Sequence, residues 1–292
     1  MTVAAASPRL TLDLVRDVRQ LFEYPFMVNA FRAGTILAVT AAAIGWFMVM
    51  RRQTFAGHTL AMVGFPGAAG AVLIGLSANL GFFAFCIAAA IVIAFLPSGG
   101  HRSFSGETAA IGVVQAFMLA SGFLFVSLYN GNLSGINALL FGSFLGITDT
   151  QVVLVGVLAL AALVVLALVA RPLLFASIDP DVAAAQGVPV RTLSAVFLIL
   201  LGIAAAATSQ ITGSLLVFTL LVLPAASAQK LTARPGLGVV LSVGLSLFVT
   251  WLGLALGYYS TYPIGFYVAT IAFAIYLLAA AGPRLTRRRA AA

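Results

Sequence analysis

The sequence predicts an all-α protein that crosses a membrane about eight or nine times, and composition is the first observation behind this. Of the 292 residues, 62% are hydrophobic and 8% are charged, and the mean hydropathy is +1.14. Soluble domains carry about 45–50% apolar and about 25% charged residues. Composition therefore excludes an ordinary soluble enzyme and a disordered chain, and the single cysteine excludes a disulfide scaffold.

Long hydrophobic runs are the second observation. Because a membrane-spanning helix needs about 20 residues, the chain consists mostly of spans and short connections. The runs cover 31–50, 59–77, 81–96, 108–128, 149–170, 191–208, 213–229, 237–257 and 264–281. Nine spans are the first interpretation. Eight spans are the alternative, because the stretches 58–80 and 207–229 are hard to divide.

Basic residues lie where the hydrophobic runs stop, which is the third observation. They are Arg51, Arg52, Arg102, Lys230, Arg234, Arg284, Arg287, Arg288 and Arg289. Cytoplasmic loops are rich in Lys and Arg, whereas nucleic-acid binding would need a basic stripe. The net charge of +8 thus predicts membrane anchoring without nucleic acid, and the tail 284–292 is placed in the cytoplasm. The N-terminus then lies outside with nine spans and inside with eight.

Residues 1–26 predict an amphipathic segment that precedes a transmembrane domain of residues 27–283. Apolar residues recur at helical spacing between charges, at Leu10, Leu14, Val18, Leu21 and Phe22. A helix of this kind lies along the membrane surface, in contact with lipid; a half-ordered leader is the alternative. The interspersed charges leave no apolar core for a signal peptide.

Prolines inside two spans predict kinks or breaks there. Pro66 and Gly67 lie in the run 59–77, and Pro224 lies in the run 213–229. Proline removes a helical hydrogen bond, and broken spans can mark a transport pathway. These three residues are therefore candidate pathway residues, while close helix packing through small residues is the simpler interpretation.

His58 and Met62 are the candidate metal ligands. They are four residues apart, so on a helix they share one face. Imidazole and thioether together suit a borderline or soft cation such as Zn²⁺ or Cu⁺, and an ionisable residue in a span indicates function. A histidine near a span end and a methionine in a core also arise without any metal, and this alternative stays open.

The loop 178–188 predicts a short helix that could dock a soluble partner. Asp179 suits an N-cap, Pro180 suits the first turn, and Gly187 suits the C-terminal stop. Asp181 and Gln186 complete the candidate docking residues. An ordinary connection between helices is the alternative.

The sequence offers little support for catalysis. It contains no serine elbow, no HExxH motif and no phosphate-binding loop that ends in Lys-Ser/Thr, so we expect no enzyme activity and no ATP hydrolysis by this chain. The acidic residues lie in the N-terminal segment, in loops or at span ends. Asp149 is predicted to cap the helix that follows it.

Several segments together resemble the ABC-3 family of permease subunits, which serve bacterial ABC importers of zinc, manganese and iron. The resemblance runs from about Phe26 to Ala280. It is carried by residues 26–30, 51–70, 139–146, 179–190 and 213–226. Each segment alone would be weak, but together they are specific.

This resemblance implies an all-α, BtuC-like importer permease in the bacterial cytoplasmic (inner) membrane, with no bound cofactor. It further implies a homodimer, two copies of a separate ATP-hydrolysing subunit, and an extracytoplasmic metal-binding protein. The helix within 178–188 would be the coupling helix that meets the ATPase and relays its motion.

One departure from the family bears on the cargo. The family usually has an acidic residue and a histidine where this chain has His58 and Met62. Loss of a carboxylate and gain of sulfur disfavour Mn²⁺ and favour Zn²⁺ or a softer ion. The site could equally have degenerated, with specificity left to the external binding protein.

Two other classes of protein remain as alternatives. A secondary transporter of a small solute or cation would need protonatable or sodium-binding groups near mid-membrane, and these spans offer almost none. A non-transporting membrane scaffold is the third class.

Overall fold

The structure is a computed structural model of the chain that describes residues 14–96, 104–129 and 146–290. Within these ranges every regular element is a helix. The helices are α1 (Leu14–Glu23), α2 (Pro25–Met50), α3 (Thr54–Leu73), α4 (Ala78–Phe95), α5 (Phe104–Leu128), α6 (Asp149–Ile178), α7 (Pro180–Ala185), α8 (Val190–Thr212), α9 (Ser214–Leu231), α10 (Pro235–Tyr258) and α11 (Ile264–Ala290). The all-α prediction is confirmed.

Eight of these helices are long and apolar enough to cross a membrane, and the apolar part of α9, Leu216–Leu231, is shorter. The eight long helices and α9 together correspond to the nine hydrophobic runs, so the predicted eight or nine spans are confirmed. The division between α8 and α9 falls at Gly213, which has a φ of 78°. Glycine adopts such a left-handed conformation more readily than other residues. Gly213 therefore separates two helices that hydropathy alone does not distinguish.

The helices form an inner and an outer group. In α2 and α3, 72% of the apolar span is buried, against 11% in α5 and 17% in α11. Helix α2 packs against α6, α8, α9 and α10, whereas α5 packs mainly on α3. Because α5 and α11 are apolar yet exposed, their outer faces suit lipid rather than water.

Hydrogen bonds between distant helices show which helix ends lie together. Arg51, at the end of α2, donates to Ser177 near the end of α6 and to Ser194 near the start of α8. Gln229, near the end of α9, donates to the carbonyl oxygen of Trp46 at 3.0 Å. We call this side of the bundle the basic end. The basic residues next to these helix termini are Arg51, Arg52, Arg191, Lys230 and Arg234.

The opposite end holds α1, the α10–α11 connection and the start of α6. The Tyr259 hydroxyl donates to the carbonyl oxygen of Asp17 at 2.7 Å, and Leu21 is buried. Burial raises the pKa of the Tyr259 phenol, and the Asp17 carboxylate raises it further, so the hydroxyl keeps its proton and remains a donor. Helix α1 is thus attached to the bundle, with Val18 and Phe22 exposed.

Both prolines lie inside continuous helices. Helix α3 runs through Pro66, and α9 runs through Pro224, so neither residue breaks its helix, and the predicted kinks stay predictions. Both are buried, and neighbouring helices hold the backbone in place. A Cβ on Gly122 would lie 2.9 Å from the Cβ of Pro66, and one on Gly67 would overlap the carbonyl oxygen of Gly81. Gly67 therefore serves close packing of α3 on α4, and its pathway role remains a prediction.

Candidate transport site and docking surface

His58 lies in the second turn of α3, where it faces α9. Its side chain is half-buried, and its ring meets the ring of Phe218 edge-on, with centroids 5.1 Å apart and an interplanar angle of 76°. The two rings border an open cavity of about 230 Å³, which Thr54, Phe55, His58 and Phe218 line. The imidazole is therefore accessible from the surface of the chain, although aromatic rings flank it.

Met62 does not join His58 in this cavity. It lies one turn further along α3 and is half-buried, on the face that the spacing predicts, but the cavity wall is formed by the four residues named above. The described residues contain no group of three or more His, Cys, Asp or Glu side chains that could hold a metal ion. A single imidazole, with at most a thioether nearby, suits a cation in passage better than a resident metal, which needs about four ligands.

Tight packing fixes the orientation of α3 and with it that of His58. A Cβ on Gly57 would overlap the sulfur of Met48, and one on Gly64 would overlap the ring of Phe82. The Thr59 hydroxyl donates to Oε1 of Gln115 on α5 at 2.9 Å. Because α2, α4 and α5 all constrain α3 in this way, residue 58 is turned toward α9.

The loop between α6 and α8 carries the short helix α7. Oδ1 of Asp179 accepts from the backbone N–H groups of Asp181 and Val182, at 3.1 and 3.0 Å, and Pro180 occupies the first turn. Gly187 has a φ of 82° and closes the helix. A six-residue helix has little stability of its own, so this cap and stop hold it in shape.

Helix α7 presents most of its surface outward. Only Ala183 is buried, against α6 and α8, whereas Asp181, Gln186 and Gly187 are exposed. Apolar side chains are exposed beside them: Ile178 by 71% and Val182 by 45%. Small, acidic and apolar groups together at the basic end make a surface suited to a protein partner.

Some sequence-based candidates lie outside the described residues. Residues 139–145 of the mid-chain segment are among them, as are the first residues of the amphipathic segment. One predicted cap was wrong: Thr148, not Asp149, is the N-cap of α6, where it forms a capping box with Gln151. Asp149 instead occupies the first turn, where a negative charge favours the helix dipole.

Sequence reasoning also missed what Arg51 contacts. The sequence marks it only as a basic residue at a span end, yet its guanidinium bridges two helices whose serines lie more than a hundred positions away in the chain. The serines that accept its hydrogen bonds carry no recognisable pattern, so only a structure could reveal the contact.

The described helices therefore form an apolar bundle with a short capped helix at its basic end and a half-buried imidazole in α3 that lines an open cavity. The model of the ABC 3 transport family matches residues 23–282. The chain belongs to this family, which confirms the resemblance. The chain is a permease subunit of this family and not itself an enzyme.

Relatives by sequence include two transport proteins. The manganese import system permease protein ScaB of Streptococcus parasanguinis is 26% identical over 84% of this chain and 86% of its own length. The chelated iron transport system membrane protein YfeC of Yersinia pestis is 28% identical over 88% of this chain and 86% of its own length.

Among solved structures, PsaBC from Streptococcus pneumoniae in complex with Fab has a similar fold. The TM-score is 0.79 at 24% sequence identity, with coverage of 91% of this chain and 95% of that chain. At this identity the likeness shows the fold alone.

Proposed function

We propose that this chain is the permease subunit of an ATP-driven importer that carries a divalent transition metal across the bacterial cytoplasmic membrane. The observation that carries the proposal is the capped and exposed helix α7 at the basic end of a chain of this family. Two relatives with names that specify manganese and chelated iron transport support a metal cargo. Family membership also favours an ATPase-coupled permease over the secondary-transporter alternative.

The working assembly in this proposal has two copies of the chain, two ATPase subunits and an extracytoplasmic metal-binding protein. The basic end faces the cytoplasm, because Lys and Arg flank the helices there and such residues anchor cytoplasmic loops. The ATPase docks on α7, the C-terminus is cytoplasmic, and α1 lies on the outer side. ATP-driven closure rocks the two permease copies and opens the pathway inward.

We propose Zn²⁺ as the preferred cargo on the chemistry of the candidate ligands. Mn²⁺ prefers oxygen ligands, whereas imidazole and thioether suit zinc and softer ions. His58 lines the cavity and Met62 follows on the same face, with no carboxylate on that face between them. The relatives that are named for manganese and iron make these two metals the competing cargoes.

The proposal is tested by growing cells in metal-poor medium and measuring their total zinc, manganese, iron and copper by mass spectrometry. Cells that lack the gene should lose zinc, and the wild-type gene should restore it while His58→Ala should not. A loss confined to manganese or iron would leave an importer but overturn the zinc assignment. No change in any metal would overturn metal import itself.

A further inference from the structure

Arg51 makes an extensive set of side-chain contacts at the basic end. Its Nη1 donates to Oγ of Ser177 at 3.1 Å, and its Nη2 donates to Oγ of Ser194 at 2.7 Å. The Nε group donates to Oε1 of Gln53 at 3.2 Å. The guanidinium carbon also lies 5.5 Å from the ring centroid of Phe197, which is fully buried. Donors on all three nitrogens and one face of the guanidinium are therefore engaged.

These contacts join the two helices that flank α7. Ser177 is in the last turn of α6, just before the Asp179 cap, and Ser194 is in the second turn of α8, just after the loop. Helix α7 packs on α6 and α8. A force applied to α7 therefore enters the bundle through the two helix ends that Arg51 holds.

Arg51 also stands at the turn between α2 and α3. It follows the last residue of α2, and its side chain reaches Gln53 directly before α3 begins. The turn is tight, since Arg52 has a φ of 58°, the only positive φ at a non-glycine position in the described chain. A short, constrained turn transmits a displacement to the start of α3 instead of absorbing it, and His58 lies in the second turn of that helix.

We infer that Arg51 is a positioning residue that passes movement of the docking helix α7 to α3 and thus to the cavity at His58. The inference rests on the proposed function. The chemistry needs arginine, because a planar fork can bond two hydroxyls at fixed positions while it stacks on an aromatic ring. A lysine at this position keeps the charge, but its three N–H donors lie on one nitrogen at the end of a flexible stem. It therefore lacks the planar fork that bonds both serines while one face of the fork stacks on Phe197.

The test separates coupling from folding by measuring metal moved per ATP hydrolysed. The full complex is reconstituted in vesicles, and uptake of Zn²⁺ and of Mn²⁺ is measured beside ATP hydrolysis. We expect Arg51→Lys to keep ATPase association and hydrolysis close to wild type and to lower metal uptake per ATP about fivefold or more. Arg52→Lys is the matched control, because Arg52 is the exposed neighbour, and its ratio should not change.

Variants of the two serine partners give a second, independent part of the experiment. The double variant Ser177→Ala and Ser194→Ala should lower the ratio as Arg51→Lys does, and adding it to Arg51→Lys should cause no further fall, because all three residues act through one contact. If the complex with Arg51→Lys fails to assemble, the ratio measured for the serine variant alone decides whether the inference holds. An unchanged ratio in the serine variant, or additive losses, would overturn the inference. Absence of uptake by the wild type would instead overturn the proposed function.

Discussion

Single glycines set how closely the inner helices approach. Gly45 of α2 lies against the backbone of α9, and a Cβ built there would overlap the carbonyl oxygen of Leu221. Backbone cannot move aside as a flexible side chain can, so any side chain at this position would force α2 and α9 apart. By contrast, a Cβ added to Gly244 of α10 would meet no neighbouring atom within 4 Å, so this position has open space.

We predict opposite effects for alanine at these two glycines. Gly45→Ala should destabilise the bundle by about 1–3 kcal/mol, because α2 and α9 must separate. Gly244→Ala should be neutral or stabilise it by about 0.5–1 kcal/mol, because alanine favours the helix. Thermal unfolding of both variants in the same detergent checks this. Equal melting temperatures would show that the α2–α9 contact is looser than in the structure.

The two candidate ligands differ in what surrounds them. His58 borders the cavity beside Phe218, whereas Met62 lies one turn away and is half-buried. Methionine is a flexible apolar side chain that readily fills space, so volume alone can explain Met62, whereas the position of His58 on the cavity wall favours a role for its imidazole. The structure therefore places His58 on the cavity wall, and a ligand role for Met62 beside it stays a prediction.

We predict that His58→Ala lowers metal uptake about tenfold or more, whereas Met62→Leu lowers it less than about threefold, since leucine preserves apolar volume. The reason is that alanine removes the imidazole ligand. Uptake of Zn²⁺ by cells that carry each variant at equal membrane abundance measures the difference. Equal and negligible effects would return both residues to packing roles.

At the level of elements, α7 depends on its two ends. The Asp179 carboxylate satisfies two N–H groups, and Gly187 supplies a left-handed residue that has open space around it. Loss of either costs about 1 kcal/mol, which is large for a helix of six residues. The long helices do not depend on this loop for their packing.

We predict that Asp179→Ala combined with Gly187→Ala removes metal-stimulated ATP hydrolysis while the melting temperature of the permease stays within a few degrees of wild type. Gly236→Ala is the control, since Gly236 is also exposed at the basic end, has open space and lacks a positive φ. The hydrolysis rate of the assembled complex is the readout. Stimulated hydrolysis that survives both changes would exclude α7 as the coupling element.

At the level of the whole molecule, helix order and helix-end contacts place α7 and the α10–α11 connection at opposite ends of the bundle.

Cys86 is completely buried, and its thiol donates to the carbonyl oxygen of Leu60 at 3.3 Å. Because the single cysteine is buried, we expect thiol reagents not to label the wild-type protein, so that labelling reports an introduced cysteine.

We predict that, in cells that express the permease without the ATPase subunit, a membrane-impermeant maleimide labels Thr261→Cys when the cells are intact and labels Ala185→Cys only after permeabilisation. Both positions are exposed, one at each end of the bundle. The wild type, with Cys86 alone, should remain unlabelled in both cases. Labelling of Ala185→Cys in intact cells would invert the proposed orientation.

The sequence by itself determined the helices, because their apolar run lengths are a local property that bilayer thickness selects. Within the described ranges the nine runs correspond to eight long apolar helices and the shorter apolar part of α9, and the cap of α7 followed from Asp179 and Gly187. The sequence could not determine which helix faces pack together, since α3 is apolar all round and the pattern of such a helix does not indicate its buried side. Only tertiary packing brought His58 to Phe218, and Arg51 to Ser177 and Ser194, because these contacts join distant parts of the chain and depend on side-chain geometry.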